Sequence, residues 1–252
     1  MSGRIKAVSF DLWDTLVIDN SDEAKRKAQG LRSKPAERRF VTWEALSQTD
    51  DIALETVSLA YDCVESAYNK VWHDQHVTWT VEERIDVLLG GLGRSLSEKN
   101  RAHVIERHGR MEVEIPPDLI PGAKEALEYL SKRYALCIVS DAVVTPGRGL
   151  REILKAYDLL TYFRAFAFSD EVGRSKPHRR GFEVVAKELG VELGQIVHVG
   201  DRQHNDIAGP QAIGMKAVLF TAARDRHGND HTADAVCRSF AGLADIIDAL
   251  NG

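Results

Sequence analysis

Four short stretches combine acidic, hydroxyl and basic side chains at the ends of apolar runs. Asp11-Leu12-Trp13-Asp14-Thr15-Leu16 closes the first run, Ser140-Asp141 the second, Gly200-Asp201-Arg202-Gln203-His204-Asn205-Asp206 the fourth, and Lys176-Pro177 follows the third. An aspartate at such a strand end can attack an electrophile as its carboxylate, giving an aspartyl ester or acyl phosphate that water later cleaves. Attack on a phosphate dianion meets charge repulsion, which a divalent cation and a lysine offset. Asp201 and Asp206 offer carboxylate oxygens suited to hard Mg²⁺. A buried cluster of Asp11, Asp201 and Asp206 would repel itself without a cation.

Those residues can meet only if the runs that carry them lie side by side. Ile5 to Phe10, Ala135 to Val139, Ala165 to Phe168, Ile196 to Val199 and Lys216 to Phe220 are each too short for an ordinary helix and read as buried strands. Helical patterns alternate with the later ones, at Gly122 to Arg133, Gly149 to Tyr157, Arg180 to Leu189 and Ile207 to Gly214. This alternation predicts an α/β fold with a doubly wound, Rossmann-like parallel sheet, where ligands bind beyond the carboxyl ends of the strands.

The stretch from Val17 to Leu119 breaks the rhythm, because it holds no convincing strand. It reads as an inserted all-helical domain. Leu54, Val57, Tyr61, Val64, Tyr68 and Val71 recur at spacings of three and four, one buried stripe of a long helix. Thr80 with Glu83 has the spacing of a capping box, and Gly90, Gly91 and Gly93 end the helix it opens. Pro116, Pro117 and Pro121 mark the return to the main domain. The expected division is therefore 1–16 with 120–252 as the sheet domain and 17–119 as the helical one.

At 252 residues, the chain suits one large domain or a core with an insertion. Its 44% hydrophobic and 28% charged content excludes wholesale disorder. With 33 Lys and Arg against 38 Asp and Glu, the net charge of −5 argues against a protein that wraps nucleic acid. No run approaches the roughly 18 apolar residues of a membrane span, and no signal-type segment precedes the first strand. A cytoplasmic protein with no membrane partner, monomeric or homodimeric, is expected. Cys63, Cys137 and Cys237 are odd in number and form no C-x-x-C pair, so they read as buried thiols.

In order and in strand context, the four stretches resemble the motifs of the haloacid dehalogenase superfamily. Residues Ile5 to Leu16 and Pro121 to Leu250 follow its pattern, and the helical insertion is similar to the cap such proteins carry after their first motif. The resemblance implies Asp11 as nucleophile, with Lys176 holding it and the transferring group in place. Ser140 would bind phosphoryl oxygens, and Trp13, Asp14, Thr15 and Asp141 would line the substrate. It also implies Mg²⁺ held by Asp11, Asp201, the backbone carbonyl of Trp13 and, through waters or the lysine, Asp206. The expected activity is hydrolysis of a small phosphorylated metabolite through an aspartyl phosphate.

One position departs from the family's phosphatases, which carry a second Asp as general acid and base where this chain has Trp13. An aromatic there is similar to the family's metal-free 2-haloacid dehalogenases, yet those lack the Gly-Asp present here as Gly200-Asp201. Metal-free dehalogenation, phosphonate cleavage with a cap lysine, and a degraded binding protein are the alternatives. His198 alternates with apolar neighbours and reads as a packed core histidine. The basic stretch of Lys25, Arg26, Lys27, Arg32, Lys34, Arg38 and Arg39 reads as a solvated face.

Overall fold

The sheet is built from short runs of apolar residues that are almost wholly buried. The computed structural model describes residues 4–251 except 227 and 229. In it, β1 (Ala7–Phe10), β2 (Ala135–Ser140), β3 (Phe163–Phe168), β4 (Ile196–Gly200), β5 (Lys216–Phe220) and β6 (Ala235–Cys237) pair in parallel in the order β3-β2-β1-β4-β5-β6. All four residues of β1 are buried, as a central strand covered on both faces requires. Phe10 lies level with Ile138 on β2 and Val199 on β4. The residues that follow each strand therefore emerge at one end of the sheet. Because β1 is flanked by β2 on one side and β4 on the other, that end is the point where the winding reverses.

Between β1 and β2 come α1 (Asp22–Ala28), α2 (Lys34–Ser47), α3 (Leu54–Gln75), α4 (Val81–Leu92), α5 (Glu98–Glu114) and then α6 (Ala123–Ser131). After β2 follow α7 (Gly147–Ala156), α8 (Ser169–Val172) and α9 (Arg180–Leu189). Phe182, Val185 and Ala186 of α9 pack with Ala7, Cys137, Val139, Ala165 and Ala167 of the strands. The region expected as a helix from Ile207 instead begins with a π-helical turn at Gln203–Ala208 and continues as α10 (Gly209–Ala212). Pro210 has no N–H to return to the carbonyl of Asp206, so a regular α-helix cannot run through this segment. β6 was not anticipated: it is a three-residue edge strand, and only Cys237 in it is fully buried. The chain then closes with α11 (Leu243–Asn251).

The chain divides into two compact units. One comprises the residues up to Asp19, Pro117–Asp141 and Leu154 onward, and the other comprises Asn20–Pro116 with Ala142–Ile153. The division differs from the expected one in two places. Residues 17–19 and 117–119 stay with the sheet, where Val17 bridges Leu119 and the Ile18 N–H donates to the Asp118 carbonyl at 2.8 Å. Ala142–Ile153, expected in the sheet domain, joins the helical unit because α7 begins hard against α5. A Cβ at Gly109 would lie 2.9 Å from the Pro146 ring, and one at Gly149 3.1 Å from Val113.

Within the helical unit, Val57, Tyr61, Val64 and Tyr68 form the buried stripe of α3, while Leu54 at its start is 36% exposed. Val57, Tyr61 and Val64 of the stripe pack with Val41, Leu46, Ile85, Leu88 and Val104. The Thr80–Glu83 capping box is present, and Gly93, at φ +61°, ends α4 in the left-handed conformation. Gly90 and Gly91 lie inside that helix rather than past its end. The basic stretch is not uniformly solvated. Arg26 and Lys34 are buried, and Lys34 Nζ donates to Asp22 at 2.8 Å and Glu112 at 2.7 Å. Cys63 is exposed, contrary to expectation, because its position on α3 lies off the apolar stripe. Among the described residues, no helix is long and apolar enough to cross a membrane.

Candidate active site

Strand register delivers the acidic side chains to one place. Asp11 follows β1, its N–H donating to the Val199 carbonyl at 2.9 Å, and Asp201 follows β4. Asp206 returns to them from the π-helical turn, where its Oδ2 accepts the Arg202 N–H at 2.9 Å. One carboxylate oxygen from each of Asp11, Asp201 and Asp206 lies within 4.8 Å of the others, and all three residues are buried.

Two further groups fix Asp11. Ser140 Oγ donates to its Oδ1 at 2.9 Å, and Lys176 Nζ donates to the same oxygen at 2.7 Å. Lys176 also donates to Asp206 Oδ1 at 2.6 Å. Burial opposes the lysine's charge, yet the facing carboxylates of Asp11 and Asp206 hold its pKa above the ordinary value. Asp206 responds in the opposite sense: despite burial, Lys176 and His198 pull it below the usual carboxylate range. His198 is packed edge-on against Phe182, as a core histidine would be, but it also belongs to this network. With Nε2 protonated, it donates to Asp206 Oδ1 at 3.2 Å and accepts the Ser9 hydroxyl at Nδ1, 2.8 Å away.

Asp201 has no such compensation from the lysine. Burial, followed by the charges of Asp11 and Asp206, pushes its carboxyl up to about 7. Its Oδ1 is buried with no hydrogen-bond partner among the described residues. Hydroxyl Oγ1 of Thr15 is in the same condition. Asp141 is pushed up to about 6 by burial, although Lys176 opposes the shift. Its carboxylate accepts the Lys176 N–H at 2.9 Å and Asn205 Nδ2 at 3.3 Å.

Trp13 and its neighbour Asp14 behave differently from each other. Trp13 Nε1 donates to the Asp141 carbonyl at 3.2 Å, which ties the loop after β1 to the end of β2. Asp14 adopts φ +52° and is 1% exposed. Its Oδ1 accepts the Asp19 N–H at 3.0 Å, and its Oδ2 faces Arg226 Nη2 at 2.6 Å and Arg224 Nε at 3.2 Å. Arg226 Nε also donates to Asp201 Oδ2 at 3.1 Å. Neither arginine was singled out from the sequence. Their position beyond the carboxyl end of β5 is the signal that could have found them.

A parallel sheet whose switch point gathers carboxylates around one lysine defines an α/β protein with a charged catalytic-type centre. More particularly, the chain belongs to the haloacid dehalogenase-like hydrolases, whose family model matches residues 5–214. It is 31% identical over 138 residues to the glyceraldehyde 3-phosphate phosphatase of Pyrococcus furiosus, a match covering 53% of this chain and 56% of that protein. It is 26% identical over 225 residues to the 5-amino-6-(5-phospho-D-ribitylamino)uracil phosphatase YigB of Escherichia coli, covering 85% of this chain and 83% of the relative. The 2-haloacid dehalogenase of Pseudomonas syringae pv. Tomato superposes with a TM-score of 0.70 at 19% identity, over 98% of this chain and 99% of that one. At that identity the likeness is one of fold.

Proposed function

We propose that the protein is a Mg²⁺-dependent phosphatase of a small phosphorylated metabolite, working through an aspartyl phosphate on Asp11. The observation that carries this reading is the buried cluster in which one carboxylate oxygen from each of Asp11, Asp201 and Asp206 lies within 4.8 Å of the others, together with the buried, unpartnered Oδ1 of Asp201. An oxygen-only donor set with one oxygen left unsatisfied fits a hard divalent cation. Asp11, Asp201 and the Trp13 carbonyl would hold it, and Asp206, whose Oδ1 accepts from Lys176, would act through water or through the lysine. The chemistry a bound Mg²⁺ supplies is charge neutralisation between a phosphate dianion and the attacking carboxylate.

The protein's own groups account for the remainder. Both hydrogen bonds to Asp11 fall on Oδ1, so Oδ2 is the oxygen available for attack. A bond forms from Oδ2 to phosphorus as the bond to the leaving oxygen breaks, and that oxygen departs with its electron pair. Water then adds to phosphorus, displaces Asp11 and restores its carboxylate, releasing inorganic phosphate. Lys176 and Ser140 hold the carboxylate in line throughout, and the Thr15 hydroxyl, buried without a partner among the described residues, is assigned to a phosphoryl oxygen. The names of the relatives support this reading, and the helical unit is assigned the cap's part in choosing the substrate. Hydrolysis of an aryl phosphate, with Mg²⁺ or EDTA, tests it beside chloride release from a 2-haloacid. Phosphate release that EDTA and Asp11→Asn both abolish is expected. EDTA-insensitive chloride release without phosphate release would establish the dehalogenase instead, and neither activity would leave a binding protein.

A further inference from the structure

Arg226 joins two acidic residues that do different work. Its Nη2 is anchored on Asp14, whose side chain is 2% exposed and is held in turn by the Asp19 N–H and by Arg224. Its Nε donates to Asp201 Oδ2. The two oxygens of Asp201 are consequently unlike. Oδ2 is occupied by a guanidinium proton, and Oδ1 is buried without a partner. Asp14 thus serves as the fixed point from which Arg226 reaches the carboxylate cluster. Its own carboxylate is already shared by two guanidinium groups and a backbone N–H.

We propose that Arg226 makes Asp201 a one-oxygen ligand and thereby biases the cation site toward Mg²⁺ and against Ca²⁺. This rests on the divalent-cation reading given above. Mg²⁺ is small and takes six oxygens in near-octahedral array, whereas Ca²⁺ accepts six to eight and commonly takes both oxygens of a carboxylate. A guanidinium bound to Oδ2 withholds the second oxygen that the larger ion would use. Arg226 is therefore a positioning residue acting through Asp201. Its positive charge opposes both ions alike, so the quantity that reports its role is the ratio of the two affinities.

Calorimetric titration of the full chain with Mg²⁺ and with Ca²⁺, without substrate, tests the proposal in the wild type, Arg226→Ala, Arg226→Met and Arg224→Ala. Arg226 is partly exposed, and melting curves recorded before titration check that each variant is folded. Both Arg226 variants should gain affinity for both ions, with Ca²⁺ gaining about tenfold more than Mg²⁺. Arg224→Ala removes a neighbouring positive charge without touching Asp201, and should leave the ratio where it was. An unchanged ratio in both folded Arg226 variants, with Mg²⁺ still binding the wild type, overturns the role of Arg226 and leaves the cation site standing. A wild type that binds neither ion overturns the cation reading, and this inference with it.

Discussion

At position 13 an indole occupies the place where the family's phosphatases keep a carboxylic acid, and its N–H is spent on the Asp141 carbonyl. Asp14, one residue on, is no substitute, because two arginines and a backbone N–H already claim its oxygens. An alkoxide leaving group therefore has no carboxylic acid at either position. Trp13→Asp should raise the alkyl-to-aryl phosphate rate ratio by recovering part of the roughly 100-fold that general acid catalysis commonly gives. Rates compared at equal folded fraction check this, and a flat ratio would show that proton transfer is not what Trp13 removes. Asp14→Asn, by the same geometry, should leave that ratio unaltered. Asp11, Ser140, Lys176, Asp201 and Asp206 were legible in the sequence because each follows an apolar run. Arg226 was not, since no periodicity marks its loop and its contact depends on the left-handed backbone of Asp14.

Among the elements, the β4 end shows how closely the fold and the site are joined. Asp206 folds back so tightly over the strand that a Cβ on Gly200 would lie 2.4 Å from its Cγ. Gly200→Ala must displace the carboxylate that Lys176, His198 and the Arg202 N–H all hold. Overpacking of this kind costs about 1–3 kcal/mol. The variant should melt lower than the wild type and lose most of its Mg²⁺-induced stabilisation, read by calorimetry with and without the ion. An unaltered response to Mg²⁺ would show that Asp206 is dispensable for the cation. Strands β1 to β5 were legible as apolar runs, and α4 by its Thr80–Glu83 box. β6 was too short and too exposed for such a signal, and the π-helical turn that brings Asp206 home follows from Pro210 and from contacts distant in sequence.

For the molecule as a whole, the sequence showed two units but not where they divide. The rhythm of strand and helix stops at Val17 and resumes near Leu119, which suggests an insertion. Nothing local marked Ala142–Ile153 as part of the helical unit, because that membership depends on Gly109 and Gly149 allowing α5 and α7 to approach. The sheet unit contains every residue to which a step at phosphorus is assigned, and all of that chemistry converges on one oxygen of Asp11. The most direct test is to quench the protein with acid during turnover of an aryl phosphate in Mg²⁺ and to map its peptides by mass spectrometry. A phosphoryl group on Asp11 is the expected result. Continued turnover with Asp11 unmodified, or with the group on any other residue, would contradict the account.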